Sequence, residues 1–318
     1  MASSSDRLSR RDVLQLGMAG VSSMLASSAF AAERRDDSSL LNTRPIPSSG
    51  ERLPVIGLGT NNYSATSTED LAARRDVLER MPELGGTLVD TAPAYGKSEE
   101  VIGQLVADIG IRDKLFFATK VTTNADAAAG KAMLEQSFRR LRTERIELIQ
   151  VHNLTGTEQL LPVLAEYKSG RRINYLGVTT SNDSQHAATA DLMRRHRLDF
   201  VQLNYSLDDR ESAQTLLPLA QERGVAVLVN MPFGGRRGSN LFARLAGRPL
   251  PPWAAEIDAS SWAQFLLKYV VSHPAVTCAI PGTTKLSHLE DNQRGGRGRL
   301  PDAQMRRRME KFWDDLPT

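Results

Sequence analysis

The 318-residue sequence predicts an α/β fold of the (β/α)8 TIM-barrel class, with an N-terminal β-hairpin and an extra C-terminal helix. Two observations predict it. Short apolar or β-branched runs alternate with amphipathic stretches eight times from residue 55 onward. Several of these apolar runs end in a polar residue. An open doubly wound sheet is the alternative, but Gly57-Leu58-Gly59 lies within a strand and lacks the third glycine of a G-x-G-x-x-G turn.

The elements follow this alternation in chain order. Residues 43–46 and 52–55 flank Pro47-Ser48-Ser49-Gly50 and predict the hairpin. Apolar runs predict barrel strands at 55–60, 87–90, 115–120, 146–152, 174–178, 200–204, 226–229 and 276–280. Helical periodicity and start signals predict helices at 68–84, 98–109, 131–141, 160–169, 184–195, 210–223 and 260–272. Two further helices are predicted from residue 285 and over 301–313.

The first residues have the order of an export signal. Arg10 and Arg11 precede a weakly apolar run, and Ala29-Phe30-Ala31 provides the small residues of a cleavage site. The paired arginines resemble a twin-arginine (Tat) signal, so residues 1–31 are predicted as a signal peptide and 32–42 as a linker. An ordinary basic N-terminus is the alternative. We therefore expect an exported, periplasmic protein that uses the Tat translocase and has no stable membrane anchor, with the barrel over 43–318.

Composition excludes several classes of function. The formal net charge is only +3, and basic residues do not form a stripe interleaved with aromatic residues, so no nucleic-acid partner is expected. The single cysteine, Cys278, lies in an apolar run and is predicted to be a buried, unreactive core residue. The five histidines have no zinc-ligand spacing, so no metal is expected.

Four polar residues fall at or just after the ends of three consecutive predicted strands. Asp90, Lys120 and His152 end these strands, and Tyr95 follows the first of them. Each alone has an ordinary structural explanation, but the carboxyl ends of barrel strands meet on one face. A lysine ammonium would lower the pKa of a neighbouring tyrosine, an aspartate would hold the lysine, and a histidine could bond a carbonyl oxygen. This set suits protonation of an alkoxide as a hydride arrives from a cofactor.

The motifs that contain these residues resemble the aldo-keto reductase family. They read G-L-G-T at 57–60, D-T-A-x-x-Y-G-x-S-E-E-x-I-G at 90–103, T-K at 119–120, Q-V-H-N at 150–153 and I-P-G-T-T-K-L-S-H-L-E-D-N at 280–292. The resemblance implies that Tyr95 is the proton donor, that Lys120 and Asp90 tune it, and that His152 orients a small-molecule carbonyl substrate. It also implies an NADP(H) cofactor in preference to NAD(H).

The resemblance further implies where the cofactor binds. A helix start after the last strand, at Pro281 to Lys285, suits a phosphate, although a simple threonine cap would look the same. His288 stands where many family members have arginine, Gly282 where many have lysine, and Asn153 where a pocket tryptophan is common. The expected cofactor residues are Thr60, Thr179, Thr180, Gln202, Met231, Phe233, Gly282, Thr283, Thr284, Lys285, His288, Asp291 and Asn292.

The predicted function is NAD(P)H-dependent reduction of aldehydes or ketones to alcohols. The alternative is a nicotinamide-nucleotide-binding sensor or subunit with little turnover. Substrate contacts are expected from the loop 232–257, including Phe233 and Trp253, and from the tail after Gly295.

Overall fold

The computed structural model describes residues 39–235 and 241–316. The predicted signal peptide and residues 32–38 of the predicted linker lie outside the described residues. The last residues of that linker contact the barrel: the Asn42 amide donates to the Gly296 carbonyl oxygen at 2.9 Å, and Leu41 forms an antiparallel bridge with Arg297.

Eight parallel strands form one sheet in which each strand pairs with the next in the chain. They are preceded by the hairpin strands β1 (Thr43–Pro45) and β2 (Arg52–Pro54). The sheet strands are β3 (Leu58–Gly59), β4 (Leu88–Asp90), β5 (Phe116–Val121), β6 (Ile146–His152), β7 (Ile173–Thr179), β8 (Phe200–Asn204), β9 (Ala226–Asn230) and β10 (Val276–Ala279).

Hydrogen bonds between the first and last strand regions close the sheet into a barrel. The Gly57 amide donates to the Ala279 carbonyl oxygen at 2.8 Å, and the Gly59 amide donates to that of Pro281 at 3.1 Å. A Cβ atom on Gly59 would lie 2.7 Å from the Ile280 carbonyl oxygen, so only glycine permits this approach. The predicted (β/α)8 barrel is confirmed.

Helices alternate with the strands and cover the barrel. They are α1 (Thr68–Glu83), α2 (Ser98–Ile109), α3 (Ala127–Arg140), α4 (Thr157–Ser169), α5 (His186–Arg195), α6 (Leu216–Arg223), α7 (Leu241–Leu245), α8 (Trp262–Val271), α9 (Leu286–Gly295) and α10 (Ala303–Asp314). The last of these is the predicted extra C-terminal helix. No helix in 39–235 or 241–316 combines the length and hydropathy that a bilayer crossing requires.

The hairpin fills the amino-terminal end of the barrel. Ile46 and Leu53 are buried in one apolar cluster with inward-facing strand residues such as Leu88, Phe116 and Leu148. Outward-facing strand residues pack with the helices in a second, larger cluster. This division follows from the two-residue repeat of a strand, which sends successive side chains to opposite faces.

Inward-facing positions change from apolar to polar along several strands. Along β6, Leu148 belongs to the inner apolar cluster, and the same face continues through Gln150 to His152. The same face of β8 passes from Phe200 to Gln202. The carboxyl end of the barrel is therefore its polar end, while the amino end is sealed by the hairpin.

Some predicted boundaries differ from the observed ones. The first barrel strand is regular only at Leu58–Gly59, because the adjoining residues make single bridges rather than a continuous ladder. α3 begins earlier than predicted, since Asp126 caps it by accepting from the Ala129 amide. The loop 232–257 contains α7 and a 3-10 segment, Pro252–Ile257, which the sequence did not predict.

Candidate active site

The strand register brings the four predicted catalytic residues to the carboxyl rim. Asp90 ends β4 and pairs with Ala118 of β5, two residues before Lys120. Lys120 pairs in turn with Gln150 of β6, two residues before His152. Tyr95 lies in the turn between β4 and α2, and this turn is held by a bond from the Tyr95 amide to the Ala92 carbonyl oxygen at 3.0 Å.

Asp90 and Lys120 form a buried ion pair. The Lys120 Nζ lies 2.7 Å from Asp90 Oδ2 and also donates to the Thr91 carbonyl oxygen at 2.8 Å. Asp90 is 2% exposed and Lys120 is 1% exposed. Burial raises the pKa of Asp90, and the Lys120 ammonium opposes this rise. The aspartate thus holds the lysine head in place, as predicted.

Tyr95 stands between the lysine and the histidine. The Lys120 Nζ lies 5.0 Å from the centroid of the Tyr95 ring, close enough for a cation–π contact. The Tyr95 and His152 rings meet edge to face, with centroids 6.1 Å apart and planes at 87°. All three side chains line the same cavity, together with Asp90.

The electrostatics of Tyr95 differ from the sequence-based expectation. Burial raises the pKa of Tyr95 and outweighs the lowering caused by Lys120, so the predicted effect of the lysine is present but the net shift is upward. The hydroxyl therefore stays protonated over the physiological range. Burial and the Lys120 charge lower the pKa of His152 to about 4, so its imidazole is neutral near pH 7. Both residues are hydrogen-bond donors in their neutral forms.

A chain of amides connects the centre of the barrel to the ion pair. The Gln150 Nε2 donates to Gln202 Oε1 at 3.1 Å, and the Gln202 Nε2 donates to Asp90 Oδ2 at 3.4 Å. Gln150 and Gln202 are both fully or almost fully buried. Gln150 was not predicted as a site residue, although its position two residues before His152 places it on the same strand face.

Three adjoining cavities run across the rim. The central one, of about 470 Å³, contains the four catalytic candidates. A second, of about 460 Å³, shares Phe233 and Gly282 with it, and a third, of about 200 Å³, shares Gly59 and Gly282. The predicted cofactor residues that line one or more of these cavities are Thr60, Thr179, Gln202, Met231, Phe233, Gly282, Thr283, Thr284, Lys285, His288, Asp291 and Asn292.

Several of the predicted cofactor side chains are engaged within the protein. Thr60 Oγ1 donates to the Asp90 carbonyl oxygen at 2.8 Å. Thr180 is fully buried and lines none of the three cavities; its Oγ1 donates to Gln185 Oε1 at 2.6 Å. The Asp291 carboxylate accepts from Ser261 Oγ and Gln264 Nε2, both at 2.7 Å. Contact of the Thr180 side chain with a cofactor is therefore not supported by its position.

The start of α9 combines a local turn with exposed polar groups. Thr283 Oγ1 accepts from the Lys285 amide at 3.1 Å in the turn before α9. Lys285 is the N-cap and no side chain caps the helix, so the threonine cap considered from sequence is not observed. Lys285 and His288 are exposed beside this turn, and both line the third cavity. The exposed polar groups thus lie beside a helix start that no side chain caps.

The segments that were predicted to contact the substrate lie in different places. Phe233 lines the central cavity, whereas Trp253 packs against Phe265 and Phe312 away from it. A Cβ atom on Gly296 would lie 2.9 Å from Ile56, before β3, so the start of the tail lies at the amino end of the barrel. Trp253 and Gly296 line none of the three cavities at the rim, so the position of neither supports the expected substrate contact.

Asn61 and Asn62 follow β3 and line the central cavity, but they were not predicted as site residues from the sequence. Their position directly after a strand was the available signal. A separate cavity of about 1030 Å³ lies at the amino end beside the hairpin and Arg171, Arg197 and Arg223. It contains none of the predicted site residues.

The described residues contain no cluster of three potential metal ligands from histidine, cysteine, aspartate and glutamate.

Residues 55–313 match the model of the aldo/keto reductase family. The chain belongs to this family. The aldo/keto reductase is 30% identical over 200 residues to Bacillus subtilis aldo-keto reductase YhdN, covering 58% of this chain and 60% of that protein. It is 29% identical over 251 residues to Escherichia coli methylglyoxal reductase YeaE, covering 76% and 84% respectively.

Solved structures have the same fold. A Klebsiella pneumoniae aldo/keto reductase, crystallised in complex with NADP and acetate, superposes with a TM-score of 0.70 at 24% identity. The alignment covers 83% of this chain and 93% of that one. The comparisons give no support to the export signal, which stays a prediction.

Proposed function

We propose that this aldo/keto reductase reduces aldehydes or ketones to alcohols with a nicotinamide cofactor and that Tyr95 donates the proton. The observation that carries the proposal is the placement of Tyr95 and His152 beside the buried Lys120–Asp90 pair in one open cavity. Near pH 7 Tyr95 keeps its hydroxyl proton and His152 is a neutral imidazole with one N–H, so the histidine can stabilise a developing alkoxide and the tyrosine can protonate it.

The cavities fit a nicotinamide dinucleotide. Asp90 Oδ1 and Gln150 Oε1 are buried without a hydrogen-bond partner among the described residues, so polar groups remain available at the floor of the barrel. The central cavity continues into two others, so an extended ligand has room to reach α9. Gln202 would hold the nicotinamide end, and Thr283, Lys285 and His288 the phosphate end. When bound, the reduced nicotinamide supplies the hydride.

The residues of the chain supply the rest of the chemistry. The His152 N–H would bond the substrate carbonyl oxygen and fix its direction toward Tyr95. The Tyr95 hydroxyl would then transfer its proton to that oxygen as charge develops. Lys120 stabilises the phenolate that is left behind, because its ammonium lies 5.0 Å from the ring centroid. Asp90 keeps Lys120 in this position through the 2.7 Å ion pair.

NADP(H) is proposed in preference to NAD(H). The support comes from Lys285 and His288 at the expected phosphate position and from the NADP complex of the Klebsiella pneumoniae relative.

Export to the periplasm by the Tat translocase is proposed separately, on residues 9–31 of the sequence alone. It does not affect the proposed reaction.

The experiment is to titrate the purified chain with NADPH and NADH and then to follow nucleotide absorbance with a panel of carbonyl compounds. Methylglyoxal belongs in the panel because it is in the name of the Escherichia coli relative. We expect Tyr95→Phe to lower kcat about 10²- to 10⁴-fold with nucleotide affinity nearly unchanged. Equal loss of both would show that Tyr95 is structural. Nucleotide binding without turnover would favour the sensor alternative, and no binding would refute both functions.

A further inference from the structure

Four arginines surround the cavity at the amino end of the barrel, opposite the rim that holds Tyr95. The volume of this cavity is about 1030 Å³, and the hairpin turn contributes to its lining. Four consecutive helix-to-strand junctions each contribute one arginine; these residues, which we call the arginine cluster, are Arg145, Arg171, Arg197 and Arg223. The barrel brings these junctions to the same end, so residues far apart in sequence meet around one cavity.

Little negative charge lies within the cavity to balance the arginine cluster. Asp199 is the one carboxylate among the described lining residues, and it is already paired with Lys168 at 2.6 Å. Arg171 and Arg197 are exposed, and their side chains make no hydrogen bond or ion pair with a described residue. These two guanidinium groups are therefore available to a ligand.

The other two arginines are only partly engaged. Arg145 Nε lies 4.0 Å from Glu147 Oε1, while both oxygens of that carboxylate accept from Arg112 Nη2 at 2.9 Å. The Arg223 Nη2 donates to the Arg194 carbonyl oxygen at 3.1 Å, which uses one of the five N–H donors of a guanidinium. Most of the donors of the cluster thus have no partner in the described part of the chain.

The helix dipole is the ordinary explanation for basic residues at this end of a barrel. The helices α3, α4, α5 and α6 end here, and each carbonyl end carries about half a negative elementary charge. Four such ends sum to about −2, whereas the four arginines carry one positive charge each. Glu144 and Glu222 are adjacent in sequence to two of the arginines but do not line the cavity. Within the cavity, the positive charge therefore exceeds what the helix ends require.

The lining suits a molecule with several phosphate groups. The planar guanidinium of arginine binds phosphate oxygens in a bidentate geometry. Ser48 and Asn174 also line the cavity, and their side chains add neutral donors because they make no hydrogen bond to a described residue. Small-molecule sites have volumes of about 300–1,000 Å³, so this cavity has room for more than one phosphate group.

The lining favours a soluble molecule over a membrane surface. Proteins that lie on a bilayer combine basic side chains with exposed apolar ones. The large apolar side chains that are exposed in the described chain are Leu40, Phe242 and Leu286, and none of them lines this cavity. The attraction at this end of the barrel is thus one for charge alone.

We propose that the amino-end cavity binds soluble polyphosphate groups, those of a nucleotide or of an inorganic polyphosphate, and that the arginine cluster holds them. The site is separate from the proposed carbonyl reduction, because no predicted catalytic or cofactor residue lines it. It gives the chain a second anion site, at the end of the barrel that the reaction does not use.

The test is isothermal titration calorimetry of the full chain with sodium triphosphate, without divalent cations. We expect one equivalent to bind saturably, and the affinity to fall as sodium chloride is raised. The double variant Arg171→Gln/Arg197→Gln should bind at least about tenfold more weakly, since it removes two charge-assisted contacts at exposed positions. Thermal unfolding of this variant should be nearly unchanged, because both side chains lie on the surface.

Two controls locate the binding. Arg75→Gln/Arg307→Gln removes the same charge from arginines that do not line the cavity, and it should change the affinity less than about twofold. Equal weakening in the two double variants would refute the site, because net charge alone would then explain the binding. Lys285→Gln should leave triphosphate binding unchanged. Loss of binding in this variant would place the triphosphate at the carboxyl rim and overturn the proposal.

A comparison of ligands tests the chemical class. Citrate, which carries its charges on carboxylates, should bind several-fold more weakly than triphosphate, and equal or tighter binding of citrate would contradict the assignment to phosphate. Tighter binding of ATP than of triphosphate would identify a nucleotide as the ligand, and equal affinity would identify the phosphate chain alone. If triphosphate does not bind the unaltered chain, the proposal is wrong and the arginines serve only the helix ends.

Discussion

The buried ion pair gives the sharpest test of how this site is held together. In Lys120→Met, the lysine charge is lost while a chain of similar length remains in a position that is 1% exposed. Asp90 would then keep only the 3.4 Å bond from Gln202, and its Oδ1 already has no partner among the described residues. Removing one partner of a buried pair costs about 3–5 kcal/mol, so we expect the free energy of unfolding to fall by that amount at pH 7.

The double variant Asp90→Asn/Lys120→Met is the control. It removes both charges, and we expect it to recover all but about 1 kcal/mol of the lost stability, because no uncompensated charge remains. Neither variant should reduce a carbonyl compound at more than about 1% of the original kcat, since Tyr95 has lost the ammonium that stabilises its phenolate. Stability is read from urea denaturation, and activity from NADPH consumption.

The pH dependence of the single variant follows from the same charge. Burial raises the pKa of Asp90, and without Lys120 only the hydrogen bond from Gln202 opposes this rise. A carboxyl with a raised folded-state pKa contributes its full stability below its ordinary pKa of about 3.9, and loses it as pH rises through the folded-state value. The deficit of Lys120→Met should therefore shrink on acidification. A double variant as unstable as the single one would refute the reasoning and assign the loss to packing of the lysine stem.

Two further predictions concern stability. Burial lowers the pKa of His152 and of His273 to about 4. Unfolding therefore takes up protons between pH 6.5 and 4. The contribution of these two histidines to the free energy of unfolding is complete above pH 6.5 and is lost as the pH falls to 4. His273→Gln should weaken the dependence of the free energy of unfolding on pH in this range, as measured by urea denaturation at several pH values. An unchanged pH dependence would contradict the prediction. In Gly103→Ala, the new Cβ would lie 2.0 Å from the Arg140 carbonyl oxygen, so we expect a loss of about 3 kcal/mol by thermal unfolding. Gly170→Ala, with no atom nearer than 3.5 Å, is the control and should be neutral.

The fold and the catalytic candidates were predictable because both follow from local order in the chain. Alternating strand and helix patterns identify a barrel, and a barrel brings its strand ends to one face. Asp90, Lys120 and His152 were therefore expected together from their positions at the ends of consecutive strands, and the structure places them so. The N-terminal hairpin was likewise predicted by its turn residues.

The cofactor side chains were less predictable, because strand position does not show which hydrogen bonds a side chain makes. Thr180 follows a strand end, as the resemblance requires, yet its hydroxyl is taken by Gln185. Trp253 lies in the predicted substrate loop, yet a 3-10 segment turns it toward Phe265 and Phe312. Competition among neighbouring groups decides such contacts, and it depends on distances that the sequence does not contain.

The sequence by itself determined the barrel, its polar rim and the presence of a tyrosine beside a lysine, since two-residue and helical periodicities are properties of the chain alone. Only the tertiary structure decided the sign of the Tyr95 pKa shift, because burial and the Lys120 charge act in opposite directions and burial is the larger. It alone also joined Asn61, Asn153 and Asn230 around one cavity, because closing the barrel brings together strand ends that are far apart in sequence.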